Sequence, residues 1–122
     1  MDHVEKDEAR EHRIDFEAVV DAYDESERAI GWYYYLGDQL AFPFKAKCIA
    51  ERATSPLRVG EVVEVTDMAP ADECEHDMFV EIQWQDRSLA VPLSQLEGIA
   101  VDDGAEEVIG DWHYWVARGY MF

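Results

Sequence analysis

Positive charge is scarce in this chain: ten Lys and Arg stand against 28 Asp and Glu over 122 residues, a formal net charge of −18. Only Lys6, Lys45 and Lys47 are lysines. So few bases cannot form the patch needed to displace counterions from phosphates, which argues against nucleic acid as a partner. The charge favours cations and basic proteins, and it also suits a salt-rich cytoplasm. Cysteine is equally sparse, and Cys48 and Cys74 are too few for a disulfide framework. The opening Met1-Asp2-His3-Val4-Glu5 lacks an apolar signal core, so two reduced thiols in a cytoplasm are expected. No apolar run approaches the ~18 residues of a membrane span. The Gly-x-Ser-x-Gly elbow, the P-loop and the Gly-x-Gly-x-x-Gly fingerprint are missing too, so no enzyme is expected.

What is present is enough apolar material for a core, including four Trp, six Tyr and five Phe. Residues 1–13 are charged, mixed in sign and nearly free of large apolar groups, and they read as a mobile arm or a frayed helix. Residues 14–122 then form one domain. Ile14, Phe16, Val19, Val20 and Tyr23 fit neither the helical nor the strand period, which leaves that stretch open. Asp24-Glu25-Ser26-Glu27 has the form of a capping box. Ala29, Ile30, Tyr33, Tyr34 and Leu36 follow at helical spacing, predicting a helix over about 25–36 that stops near Gly37. The Trp32-Tyr33-Tyr34-Tyr35 run then reads as core with a wet rim.

From about 42 to 101 the period becomes two. Phe42 to Cys48, Glu61 to Val65, Met78 to Trp84, Leu89 to Leu93 and Ile99 to Val101 read as five strands, with a tight turn at Gln85-Asp86-Arg87 and one helical turn at Ser94-Gln95-Leu96. Val108, Trp112, Trp115 and Val116 make one stripe of a helix over about 104–118. The expected fold is α+β: a small SH3-like five-stranded β-barrel flanked by an N-terminal and a C-terminal helix.

Acids cluster. Residues 61–77 hold Glu61, Glu64, Asp67, Asp72, Glu73, Glu75 and Asp77, and residues 97–111 hold Glu97, Asp102, Asp103, Glu106, Glu107 and Asp111, with no Lys or Arg in either stretch. Such carboxylates repel unless neutralised, and a hard divalent cation is the simplest neutraliser. Calcium takes about six to eight oxygens in flexible geometry, which suits a loose cluster better than octahedral magnesium. The EF-hand pattern fails: counted from Asp72, the glycine position is Asp77 and the final position Gln83; counted from Asp102, they are Glu107 and His113. Cys48, Cys74 and His76 lack zinc spacing, and Cys48 reads as a packed thiol.

Four blocks carry a resemblance: Gly31 to Leu36, Phe42 to Cys48, Val91 to Ile99 and Asp111 to Tyr120. In this order they resemble the small acidic calcium-binding proteins first known from cyanobacteria, over Ile14 to the C-terminus, with residues 1–13 as an extra. The resemblance implies Ca2+ as the bound ion and a role as intracellular buffer or sensor. It also singles out Asp38, in the link between Leu36 and Phe42. In an SH3-like barrel the start of the first strand shares an end with the loop after the second, and Glu97 falls at that end as well. This places the primary site at Asp38 with Asp72, Glu73, Glu75 and Asp77. Asp102, Asp103 and Glu106 offer a second site, although acids there also complement a helix N-terminus. The function expected is reversible calcium binding through clustered surface carboxylates. The alternative is an acidic SH3-like module that docks a basic protein partner without a metal.

Overall fold

The structure is a computed structural model, and it describes residues 6–20, 22, 24–53 and 55–119. Two long helices pack on a five-stranded antiparallel sheet. Helix α2 spans Glu25–Gln39 and α3 spans Asp103–Ala117. The strands are β1 Phe44–Cys48, β2 Val62–Met68, β3 Phe79–Trp84, β4 Arg87–Pro92 and β5 Leu96–Ile99. A shorter helix, α1, spans Glu8–Arg13 and runs into a π-helical turn at Ile14–Ala18. That turn resolves the ambiguous stretch: Val19 N donates to Ile14 O at 3.0 Å, the wide-turn bond that spoils an α or β period.

Both long helices begin on aspartate caps. Asp24 accepts from Glu27 N at 2.9 Å, and Asp102 accepts from Ala105 N at 2.8 Å. Helix α2 continues past Gly37, whose missing side chain faces Met68, and ends where Leu40 turns extended. The fifth strand lies earlier than expected, at Leu96–Ile99, because residues 96–99 pair with β1. The turn between β3 and β4 places Gln85 and Asp86 at φ 48° and 71°, the left-handed pair of a type I′ hairpin.

The strand order is β4-β3-β2-β1-β5. β4 and β5 are its edges and no ladder joins them, so hydrogen bonds do not close the sheet into a barrel. The sheet nevertheless has to curl. Four flat strand spacings would separate the edges by about 19 Å, whereas the step from Pro92 to Leu96 reaches at most about 14 Å. A turn at Leu93–Gln95 makes that step, pinned by Leu93 N to Met78 O at 2.9 Å and Ile49 N to Gln95 O at 2.8 Å. The concave face supplies Ala46, Cys48, Val63, Val65, Val80, Ile82 and Val91 to the core. The helices supply Trp32, Leu36, Val108 and Trp112, with the Trp32 and Trp112 rings edge-on at 5.0 Å.

Residues 8–13, expected as part of a mobile arm or frayed helix, are a helix tied to α3. Arg10 Nη1 reaches Asp111 Oδ1 at 2.9 Å, and Arg13 Nη2 and Nε reach Oδ1 and Oδ2 at 2.6 and 2.9 Å. Asp7 N donates to the Tyr114 hydroxyl, which donates to Glu11. No residue of α1 is buried. Its partners lie about a hundred positions away in sequence, so no local pattern could show them.

The π-helical turn sits hard against α2 at Gly31, where an added Cβ would stand 2.2 Å from the Ala18 carbonyl oxygen. Alanine normally stabilises a helix interior by about 1 kcal/mol over glycine. Here the clash with backbone outweighs that gain, since overpacking costs ~1–3 kcal/mol and cannot be relieved by a side-chain rotation. Gly31→Ala is therefore expected to lower the thermal midpoint by several degrees. A midpoint equal to or above the parent's would show that the turn is free to move off α2.

Candidate metal centre

Asp38 lies in the last turn of α2, not in a link after it, because the helix runs on to Gln39. The negative end of the helix dipole disfavours an acid there, and the last turn of α2 holds no base to offset it. The side chain is exposed. It borders a groove of about 410 Å3 with Glu17 from the π-helical turn and Tyr34, Tyr35 and Gln39 from α2. Among the described residues, no base lines this groove. The final carbonyls of a helix also lack intrahelical donors, although Leu36 O is taken by Leu40 N. Glu17 escaped sequence reasoning because it sits in a turn of unusual pitch, far from the acid-dense stretches.

The loop over residues 72–77 stands elsewhere. A 3-10 turn at Ala71–Cys74 buries Cys74, whose sulfur accepts from Phe79 N at 3.4 Å. Asp72, Glu73 and Glu75 point to solvent, while Asp77 is half-buried and accepts from Met78 N at 2.8 Å. Asp72 and Glu75 border a groove of about 210 Å3 against Ser26, Ile30 and Tyr33 of α2. Tyr33 ties that side down through its hydroxyl to Ala69 O at 2.8 Å. At 100° and 1.5 Å per residue, Asp38 is about 140° around α2 from Tyr33 and about 12 Å along the axis from Ile30. The structure therefore does not bring Asp38 together with Asp72, Glu73, Glu75 and Asp77 as one site. The start of β1 lies beside the middle of β2, with Phe44 opposite Val65, and Asp38 is on the helix that precedes it. Glu97 is opposite Lys47, towards the other end of β1.

The third group is at α3. Asp102 is the helix cap, and Asp103 and Glu106 border a groove of about 430 Å3 with Asp7, Glu107, Arg10 and Arg13. Two guanidinium groups thus already stand beside these acids. Among the described residues, no three His, Cys, Asp or Glu side chains gather closely enough to hold a metal ion as they stand. Cys48 and Cys74 are separate buried thiols; Cys48 Sγ donates to Ala50 O at 3.2 Å. His113 Nε2 is 2.7 Å from Leu96 O, which can only accept, and burial holds the imidazole below its usual pKa. It is thus a neutral donor to β5.

No described helix is long and apolar enough to cross a membrane. A family model described as calcium binding, Calci_bind_CcbP, matches residues 12–116. Two solved structures align over 100% of this chain and 100% of their own, each with a TM-score of 0.87. One is the crystal structure of Anabaena CcbP, at 50% identity, and the other a calcium binding protein in the calcium-binding form, at 49%. No curated protein matches. With its family model covering the chain from α1 to α3, the protein belongs to the CcbP family of calcium-binding proteins.

Proposed function

We propose that this chain takes up calcium reversibly, as an intracellular buffer or sensor, and that the groove at the C-terminal end of α2 is its primary site. The single observation that carries this reading is the placement of Asp38. Its carboxylate stands at the negative end of a helix, with no base in the last turn, and shares a baseless groove with Glu17. A cation there would relieve both the repulsion between carboxylates and the unfavourable dipole contact. Among the described residues the side chains bordering the groove offer oxygen ligands and no His or Cys, so a hard cation fits the donor set, and donors from separate elements suit calcium's broad coordination better than magnesium's strict octahedron. The acids over residues 72–77 form a second, looser carboxylate group on the opposite side of α2. Asp102, Asp103 and Glu106 are the least favoured, because Arg10 and Arg13 border the same groove. The curled sheet is read as an SH3-like scaffold that keeps these groups apart.

Calcium at about 100 times its dissociation constant would stabilise the folded chain by about 2.7 kcal/mol. Calcium is therefore expected to raise the thermal midpoint clearly more than equimolar magnesium does. Asp38→Asn and Glu17→Gln should each remove most of that difference. A calcium effect of parent size in both variants would overturn the assignment.

Asp77 supplies a separate test of the loop. Burial raises its carboxyl pKa above the usual value, against the Met78 amide and Arg52, which lower it. The raised value means that the folded state favours the neutral acid. This contribution is full below the unfolded pKa and is lost as pH rises through the folded one. At pH 7 the charged side chain is then a liability. Asp77→Asn should raise the midpoint at pH 7 without calcium and leave it unchanged at pH 3. Equal midpoints at both pH values would show that the loop does not desolvate this acid.

A further inference from the structure

We propose that Asp111 and the groups bonded to it are the positioning device of the calcium groove, holding Glu17 opposite Asp38. The proposal rests on the calcium reading of that groove, and the test below separates the two.

Asp111 has no exposure to water, and both its oxygens are fully used. Oδ1 accepts from Arg10 Nη1 at 2.9 Å and Arg13 Nη2 at 2.6 Å. Oδ2 accepts from Arg13 Nε at 2.9 Å and the Tyr35 hydroxyl at 2.8 Å. One carboxylate on α3 thereby joins α1 to α2. Asp7 and Glu11 add a second tie to α3 through the Tyr114 hydroxyl, while α1 buries no residue of its own.

Both ends of this junction lead directly to the groove. Arg13 is the last residue of α1 and stays helical, at φ −62° and ψ −43°, so α1 enters the π-helical turn without a break. Glu17 lies four positions on. Whatever orients the Arg13 guanidinium therefore orients Glu17 through about one turn of continuous helix. At the other end, Tyr35 is among the residues lining the groove and is three positions before Asp38. Its hydroxyl ties that part of α2 to the same carboxylate. Glu107 adds a weaker contact to Arg13 at 3.5 Å from the exposed side. At Gly110 an added Cβ would stand 2.8 Å from Arg10 Nη1, so a bare helix surface lets the guanidinium lie across α3.

Asp111, Arg13 and Tyr35 would thus act on calcium through Glu17 and Asp38, as outer partners orient the ligands of a metal. Loss of such partners typically costs ~10–100-fold in affinity. By linkage the coupling runs both ways: calcium in the groove should hold α1 more firmly on α3.

The experiment compares the full chain with Tyr35→Phe, Arg13→Gln and Asp38→Asn, using calorimetric calcium titration and amide exchange at residues 8–13. Tyr35→Phe keeps the ring and every ion pair, so it remains informative even if Arg13→Gln folds poorly. The proposal expects Tyr35→Phe to weaken calcium binding about tenfold with its circular dichroism unchanged. It also expects calcium to slow exchange in α1 in the parent but not in Asp38→Asn. A purely structural role would leave that calcium-dependent exchange absent. Should Asp38→Asn lose binding while Tyr35→Phe binds as the parent does and exchange in α1 ignores calcium, the positioning role falls and the calcium groove stands. Should the parent fail to bind calcium, both fall.

Discussion

The helical layer depends on one buried anion. Asp111 draws Arg10, Arg13 and Tyr35 from two other helices onto a single carboxylate. Its hydrogen bond to Arg13 is the main reason that guanidinium is held charged well above its ordinary range. Burial, with help from Asp111, keeps the Tyr35 phenol protonated and hence a donor. Such an arrangement is a poor source of net stability, because stripping water from the charges offsets most of their attraction. Removing one partner is another matter, at about 3–5 kcal/mol for an uncompensated buried charge.

The remaining acids are managed unevenly. Asp7, Asp24 and Asp102 cap helices, where the dipole accepts negative charge. On the outer face of the sheet, Lys45 stands across from Glu64 and Lys47 across from Glu97. Acids at the end of α2 and over residues 72–77 have neither remedy. The molecule therefore separates a sheet face on which Lys45 and Lys47 offset acids from a helix end and a loop whose acids have no such partner across a strand.

Much of this was legible in the chain. The cap at Asp24 was readable because capping is a local bond between a side chain and an amide three residues on. Strand alternation from Ala46 to Val91 was readable because each strand buries one face. Gly37 misled, since a glycine at helical spacing can mark either a stop or a close contact, and here it faces Met68. That reading put Asp38 in a link beside Asp72 and Asp77, whereas the structure holds it on the helix. Barrel closure depends on whether β4 and β5 pair, which strand patterns do not encode. Arg10, Arg13 and Asp111 escaped for one reason: their significance is a matter of partners distant in sequence. Among crowded acids, the one that matters structurally was the one with bases nearby only in three dimensions.

The indole cluster between α2 and α3 has a consequence of a different kind. Trp32 is shielded completely from solvent and lies 5.0 Å from the Trp112 ring and 5.5 Å from that of Trp115. Rings this close exchange excitation energy, and an indole away from water emits at short wavelength. The chain thus carries an intrinsic optical gauge at the seam of its two long helices, readable without any attached dye.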